Sequence, residues 1–327
     1  MEPKIATIGL DVGGTKTSGV LLSPEDVLRE RERIPTKRSS RESVVGGILD
    51  VCERLSERAE VLGLEVAAIG VGFAGFIDFS QGLVIYSPNL PIEDLRLKDV
   101  LEERLSMPAF VDNDANVAAL AESRWGAGRS VEHMVHITLG TGIGGGVIID
   151  RQLYRGCIGT AAEIGHIVIS AGGPLCFCGA RVCFEAMASG TAIERMALEA
   201  ATANPDSPLA RLRDRKGHLD VQLLSEAARE GDPLALDIFL QAGYSLGVGI
   251  ANLINIFNPE RVVLSGGVTN VLDLLEERMQ VAVKEIAVKP SRESTRIVTS
   301  ELQGEEVGAR GAALLAMELS GRFPVPE

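Results

Sequence analysis

The apolar positions of this chain fall into short runs punctuated by glycine. Residues 5–10 read as a buried strand, followed by the turn Asp11-Val-Gly13-Gly14-Thr15 and a second strand, Lys16–Leu22. Residues 134–150 repeat the plan, with a strand at Met134–Leu139, the turn Gly140-Thr141-Gly142 and a strand at 146–149. Two strand–glycine turn–strand units about 125 residues apart predict an internal duplication into two related domains. Between them the pattern predicts a helix at 41–61, a strand at 66–73, a helix at 93–106 and a strand at 108–111. Another helix begins near Ala115, with Asn113 or Asp114 placed to cap it. Further helices are predicted at 189–200, 221–230, 233–257, 271–288 and 305–319, and a strand at 261–264. Residues 201–217, with Asn204-Pro205, Ser207-Pro208 and a basic run at 211–216, read as a surface excursion. Strands alternating with helices predict an α/β architecture. The expected division is a small α/β domain at 1–117, joined by the C-terminal helix at 305–327, and a large α/β domain at 118–304.

With 327 residues, 46% of them hydrophobic, the chain can build two sizeable cores. A net charge of −13 opposes nucleic acid as a partner, because phosphate backbones require cationic surfaces. An anionic nucleotide would then depend on backbone amides, a metal ion and local geometry. The longest uninterrupted apolar stretch, 66–77, is too short to span a bilayer, so no membrane partner is expected. Met1-Glu2-Pro3-Lys4 leads straight into a strand-like run rather than an apolar signal core, so the expected location is the cytoplasm. There the five cysteines are not expected to form disulfides. Cys52 shares a helical stripe with Val45, Ile48, Leu49 and Leu55 and reads as a small buried hydrophobe.

The densest chemistry lies between Glu163 and Glu185. Glu163-Ile-Gly-His166 is followed after nine residues by Cys176-Phe-Cys178-Gly-Ala-Arg-Val-Cys183-Phe-Glu185. One imidazole and three thiols within 18 residues match the four N/S ligands of a structural zinc site: His166, Cys176, Cys178 and Cys183. Glu163 and Glu185 flank that set, and hard carboxylates beside a closed zinc site suit the hydroxyl groups of a polyhydroxylated substrate.

Gly140-Thr-Gly142-Ile-Gly144-Gly145 satisfies the dinucleotide pattern GxGxxG, but a strand follows where that fold requires a helix. A Walker A loop is absent from the sequence. Glycine hairpins nevertheless bring backbone amides close to phosphate oxygens, and Thr15, Thr138 and Thr141 add hydroxyl donors. The bland alternative is two tight turns that simply need glycine. Asp11, at a strand end, suits Mg²⁺ held through water. In Val111-Asp112-Asn113-Asp114-Ala115-Asn116 a carboxylate leaves a strand and enters a helix, the place of a general base or merely of a helix cap. Asn89, in Ser87-Pro88-Asn89-Leu90-Pro91, offers a further amide in a proline-fixed turn.

Taken in order, these motifs resemble the ROK family (repressors, open reading frames and sugar kinases), and most closely its ATP-dependent glucokinases. The residues carrying the resemblance are Asp11–Thr15, Pro88–Pro91, Asn113–Asn116, Leu139–Gly142, Glu163–His166, the cysteine cluster through Glu185, Ser189-Gly190 and Ser265-Gly266-Gly267. The resemblance implies an actin/hexokinase-like, duplicated ribonuclease H-like fold of two α/β domains with an interdomain active-site cleft. It implies phosphorylation of glucose at the 6-hydroxyl with Asp114 as base. Implied sugar contacts are Asn89, Asn113, Asp114, Glu163, His166 and Glu185. Implied contacts to ATP and its Mg²⁺ are Asp11, Gly13, Gly14, Thr15, Lys16, Thr138, Gly140, Thr141, Gly142, Gly266 and Gly267. Zinc is implied on His166, Cys176, Cys178 and Cys183, and a homodimer or homotetramer is expected. Other substrates within the resemblance are fructose, N-acetylmannosamine, N-acetylglucosamine and allose, and other donors are polyphosphate and ADP. A sugar-responsive repressor would need a helix-turn-helix ahead of residue 5, and a non-catalytic sugar sensor would not need Asp114. One departure is Val182, where the family pattern has glycine; a β-branched residue resists φ > 0, so the loop is expected to differ there.

Overall fold

The structure is a computed structural model, and it describes residues 4–23, 25, 27–302, 304 and 306–323. The expected helix positions 305 and 324–327 lie outside these. Two compact units emerge. One comprises residues 1–130, 146–162 and 300–327, the other 131–145 and 163–299.

In the first unit the strands are β1 (Lys4–Val12), β2 (Lys16–Leu22), β3 (Leu28–Pro35), β4 (Leu64–Phe73), β5 (Phe76–Asp78), β6 (Leu83–Tyr86), β7 (Glu93–Arg96) and β8 (Ala109–Asn113). The main sheet has the order β3-β2-β1-β4-β8, and β5-β6-β7 form a small separate sheet. β1, β4 and β8 are parallel, whereas β1–β2 and β2–β3 are antiparallel. Downstream lie β9 (Met134–Leu139), β10 (Ile143–Ile149), β11 (Gln152–Leu153), β12 (Arg261–Ser265) and β13 (Arg296–Thr299), in the order β11-β10-β9-β12-β13. Each five-stranded sheet thus repeats one connectivity, and β9–β12–β13 are parallel like β1–β4–β8. The duplication read from the glycine turns is a duplication of topology.

The inward faces of the first sheet hold Ile8, Leu10, Ile69, Val71 and Val111, packed against Ile48, Cys52 and Leu55 of the Arg41–Val61 helix. Cys52 is a core hydrophobe, as its stripe predicts. The Val307–Leu319 helix packs on β1 and β4, and the buried Thr7 hydroxyl of β1 donates to its Ala313 carbonyl at 3.0 Å. A buried polar residue in mid-strand is thereby satisfied.

Three elements depart from the pattern. Residues 93–96 are strand, and their helix starts only at Leu97. The surface excursion contains a helix, Pro208–Lys216, capped by Ser207 and ended by Gly217 at φ 79°. The longest apolar element is also not 66–77. It is the Pro233–Phe257 helix, long and apolar enough by length and composition to cross a membrane, with 56% of its most apolar window buried. It packs along the Leu272–Ile286 helix, where Gly243 and Gly247 leave room for the Leu275 and Met279 carbonyls.

The expected domain boundary at 117 falls inside the continuous Asp114–Trp125 helix. Residues 118–130 and 146–162 belong to the first unit.

Candidate functional site

The expected site residues fall into two sets, one in each unit. In the first unit, Asp11 is the next-to-last residue of β1 and the glycine turn closes on itself. The Gly13 amide donates to the Lys16 carbonyl at 3.0 Å, and the Thr36 hydroxyl donates to the Gly13 carbonyl at 2.8 Å. Gly13's amide is therefore spent inside the hairpin. Asn89 lies over the same turn, since a Cβ on Gly14 would sit 3.1 Å from its Cβ. Ser87 fixes that approach by donating to the Ala74 carbonyl at 2.6 Å.

β8 delivers the acidic motif. Asn113 is the cap of the Asp114–Trp125 helix: its Oδ1 accepts from the Ala115 and Asn116 amides at 2.8 and 3.2 Å. Its Nδ2 donates to the Gly75 carbonyl at 3.0 Å, so most of this side chain is engaged in structure. Asp114 is the first helical residue and takes the Ala115 amide at 2.9 Å. Burial pushes its carboxyl above the usual range, with hydrogen bonds from the helix start opposing. Asp11 is pushed up to about 7, first by burial and then by the charge of Asp114, against the opposing pull of Lys16. The first turn of the Val307–Leu319 helix faces Asp11, and a Cβ on Gly308 would lie 2.8 Å from its carboxylate oxygen. Two carboxylates sharing one field, with hard oxygen donors, suit a divalent cation of the Mg²⁺ type.

In the second unit the residues expected to hold zinc converge. The ligand atoms of His166, Cys176, Cys178 and Cys183 all lie within 4.8 Å of one another. Cys178 and Cys183 sulfurs are 3.5 Å apart, and Cys176 Sγ is 3.8 Å from His166 Nδ1. Tetrahedral zinc with bonds near 2.3 Å needs sulfurs about 3.8 Å apart, so the set fits the ion. None of the five cysteines is disulfide-bonded. The loop is closed by backbone bonds, among them Cys176 amide to Ala180 carbonyl at 2.8 Å and Phe184 amide to Ile167 carbonyl at 2.9 Å.

Val182 corrects an expectation. It does adopt φ 53°, the left-handed conformation it was expected to resist. Its amide donates to the Pro174 carbonyl at 2.8 Å, its carbonyl accepts from Ile169 at 3.1 Å, and its side chain is buried. The surroundings over-determine the strained residue.

Glu185 stands two residues beyond Cys183 and reaches the second glycine turn. Its Oε2 accepts from the Ile143 amide at 2.9 Å, and a Cβ on Gly142 would lie 2.3 Å from that oxygen. The turn is further held by Gly190 amide to Gly140 carbonyl at 2.8 Å and Gly144 amide to Thr138 Oγ1 at 3.1 Å. Thr138 accepts there, so its own proton stays available for donation. β9 and β10 are strands on both sides of the turn, which removes the dinucleotide-fold alternative. Glu163 opens the short turn Ile164–His166, whose Gly165 lies against the Ile143 carbonyl. Gly266 and Gly267 follow β12, with Gly266 at φ 91° and packed on the Leu139 backbone. The structure thus gathers Thr138, Gly140, Thr141, Gly142, Gly266, Glu185 and the zinc set within one unit. The other unit gathers Asp11, Gly13, Gly14, Thr15, Lys16, Asn89, Asn113 and Asp114.

Sequence reasoning missed Arg155. Its Nε donates to Asp112 Oδ2 at 2.7 Å, directly behind the Asn113-Asp114 pair. The two residues are 43 positions apart and no motif joins them, so only tertiary structure reveals the pair.

A sequence profile of the ROK family matches residues 7–319, and the chain belongs to that family. A glucokinase from Streptomyces coelicolor is 35% identical over 315 residues, covering 95% of this chain and 98% of that one. A glucokinase from Thermotoga maritima is 36% identical over 321 residues, covering 98% and 99%. Among solved structures, a ROK family glucokinase from Streptomyces griseus in complex with glucose and AMPPNP matches with a TM-score of 0.80. It is 36% identical, and the match covers 96% of this chain and 99% of that one. The fold is the duplicated, actin-like α/β fold of these proteins.

Proposed function

We propose that this protein is an ATP-dependent sugar kinase that phosphorylates glucose at its 6-hydroxyl. The observation that carries the reading is Asp114, a carboxyl raised by burial and presented at the start of a helix beside Asp11. The likeness to full-length glucokinases supplies the substrates.

In this reading the 6-hydroxyl donates its proton to the Asp114 carboxylate as the sugar oxygen attacks the γ-phosphorus, while the bond from that phosphorus to the β,γ-bridging oxygen breaks and ADP leaves with the displaced electron pair. The raised affinity for protons brings the base closer to its working pH. Asn89, Asn113, Glu163, His166 and Glu185 hold the sugar hydroxyls; an analogue lacking one would leave these groups unpaired, which is how such a site discriminates. The glycine turns, with Gly13, Gly14, Thr15, Lys16, Thr138, Gly140, Thr141, Gly142, Gly266 and Gly267, receive the nucleotide. Mg²⁺ bound beside Asp11 would neutralise triphosphate charge. Zinc on His166, Cys176, Cys178 and Cys183 would be structural, because four protein ligands leave no open position. Such a site braces the loop that carries His166 and Glu185.

The test is a coupled assay across hexoses and phosphoryl donors, with Asp114→Asn alongside. Glucose with ATP is expected to give the highest kcat/KM. Asp114→Asn should lower kcat on the order of 10²–10⁴-fold while leaving glucose binding largely intact. Near-wild-type kcat in that variant would show that Asp114 is only part of a helix start.

A further inference from the structure

We infer that Arg155 is a positioning residue for Asp114, acting through Asp112. This assignment rests on Asp114 being the general base.

Asp112 is the next-to-last residue of β8 and has no exposed surface. Its Oδ1 takes the Asn113 amide at 2.8 Å and the Asn116 side-chain amide at 2.8 Å. Asn113 is the helix cap immediately before Asp114, and Asn116 lies two residues after it. One carboxylate therefore grips the turn that presents the base from both sides. Its other oxygen, Oδ2, takes Arg155 Nε at 2.7 Å.

A buried carboxylate left with neutral partners alone is an uncompensated charge, which is costly and loosens its hold on the turn. Arg155 supplies the missing charge. Its guanidinium is seated 4.0 Å over the Phe79 ring, and its side chain is only 21% exposed. The segment bearing it is itself fixed, since the Phe79 amide donates to the Ile158 carbonyl at 3.0 Å. The chain of contacts runs from Phe79 to Arg155, to Asp112, to the Asn113 and Asn116 amides that flank Asp114.

Stability alone accounts poorly for this pair. Burying an ion pair stabilises a fold little, and an apolar pair of similar volume often serves as well. What an apolar pair lacks is an acceptor for the two amides that set the turn. Small displacements of a catalytic group are expensive, with about 1 Å costing on the order of 100-fold in rate. The pair thus has its consequence in kcat rather than in affinity.

Four variants test this: Arg155→Met, which keeps bulk on Phe79 without charge, Arg155→Lys, Asp112→Asn, and the double change Asp112→Asn with Arg155→Met. Arg155→Met is expected to lower kcat on the order of 10–100-fold, with KM for glucose and for ATP changed less than about 3-fold. Arg155→Lys should recover part of the loss, because charge returns without the fixed fork. The double variant should be no worse than Arg155→Met, since both act on one link. A folded Arg155→Met protein with wild-type kcat overturns the inference, as does a rise in glucose KM at unchanged kcat. Should Arg155→Met fail to fold, Arg155→Lys carries the test: a several-fold lower kcat supports it and an unchanged kcat overturns it. Asp114→Asn measured in parallel separates the two assignments. If Asp114→Asn stays active, the base assignment fails. If it is inactive while Arg155→Met keeps full kcat, only the role of Arg155 fails.

Discussion

Glu185 Oε2 accepts the Ile143 amide at 2.9 Å, so a residue expected to hold sugar is fastened to the turn expected to hold phosphate. Within this unit the two proposed binding tasks would share one carboxylate. Gly142 makes the arrangement possible by leaving the space that a Cβ would take from Glu185.

Gly142→Ala should therefore disturb both substrates. The added methyl, 2.3 Å from the carboxylate, must displace Glu185 or bend the turn. KM for glucose and KM for ATP are both expected to rise, by roughly 10-fold for a contact worth about 1.4 kcal/mol. Steady-state kinetics with each substrate varied in turn checks this. A rise confined to ATP would mean that Glu185 does not serve the sugar.

Cys178→Ala should remove the metal and loosen the loop. Zinc analysis is expected to fall from about one ion per chain to near none, as a three-ligand remnant holds zinc poorly. Glucose KM should rise more than ATP KM, because His166 and Glu185 both depend on the loop while the glycine turn keeps its bond to Gly190. Equal rises in the two constants would show that the loop supports the turn as much as the sugar site.

Asp11 sets a stability slope with pH. Its carboxyl is raised from 3.8 to about 7, so between those values the folded protein keeps a proton that the unfolded chain has released. The contribution to stability is full below about pH 4 and is lost as pH rises through about 7. Asp11→Asn should flatten this slope, with its Tm gaining on wild type between about pH 4 and pH 7 in metal-free buffer, the window set by that shift. Parallel melting curves across the range would count against a carboxyl raised by burial at Asp11.

Much of the fold was legible because buried strands announce themselves as apolar runs and their turns as glycine. The cluster of His166 with Cys176, Cys178 and Cys183 was legible because thiols at close spacing have few other uses. β3 was not, since Leu28-Arg-Glu-Arg-Glu-Arg-Ile-Pro35 alternates charges instead of burying a face; it is an edge strand whose Glu32 pairs with Arg54 and Arg58. The 208–216 helix is similarly polar, and only its Ser207 cap and Gly217 stop marked it. Asp112 with Arg155 and Glu185 with Ile143 lie 43 and 42 positions apart, distances over which no local pattern reports contact. Val182 shows the limit of a propensity argument, because two backbone hydrogen bonds and burial hold a conformation its own side chain disfavours.

β8 and β13 occupy the same place in two sheets of identical connectivity, yet their ends do different things. β8 runs into Asn113 and Asp114, while β13 stops at Thr299 and hands the chain to Ser300, whose hydroxyl donates to the buried Glu122. Twin halves have taken up separate trades: one strand end carries the carboxyl proposed as the base, and its counterpart leads into the Ser300–Glu122 bond within the first unit. Equivalent positions in such a molecule are not interchangeable, so a carboxylate grafted at Ser300 would meet the buried Glu122 and break that hydrogen bond.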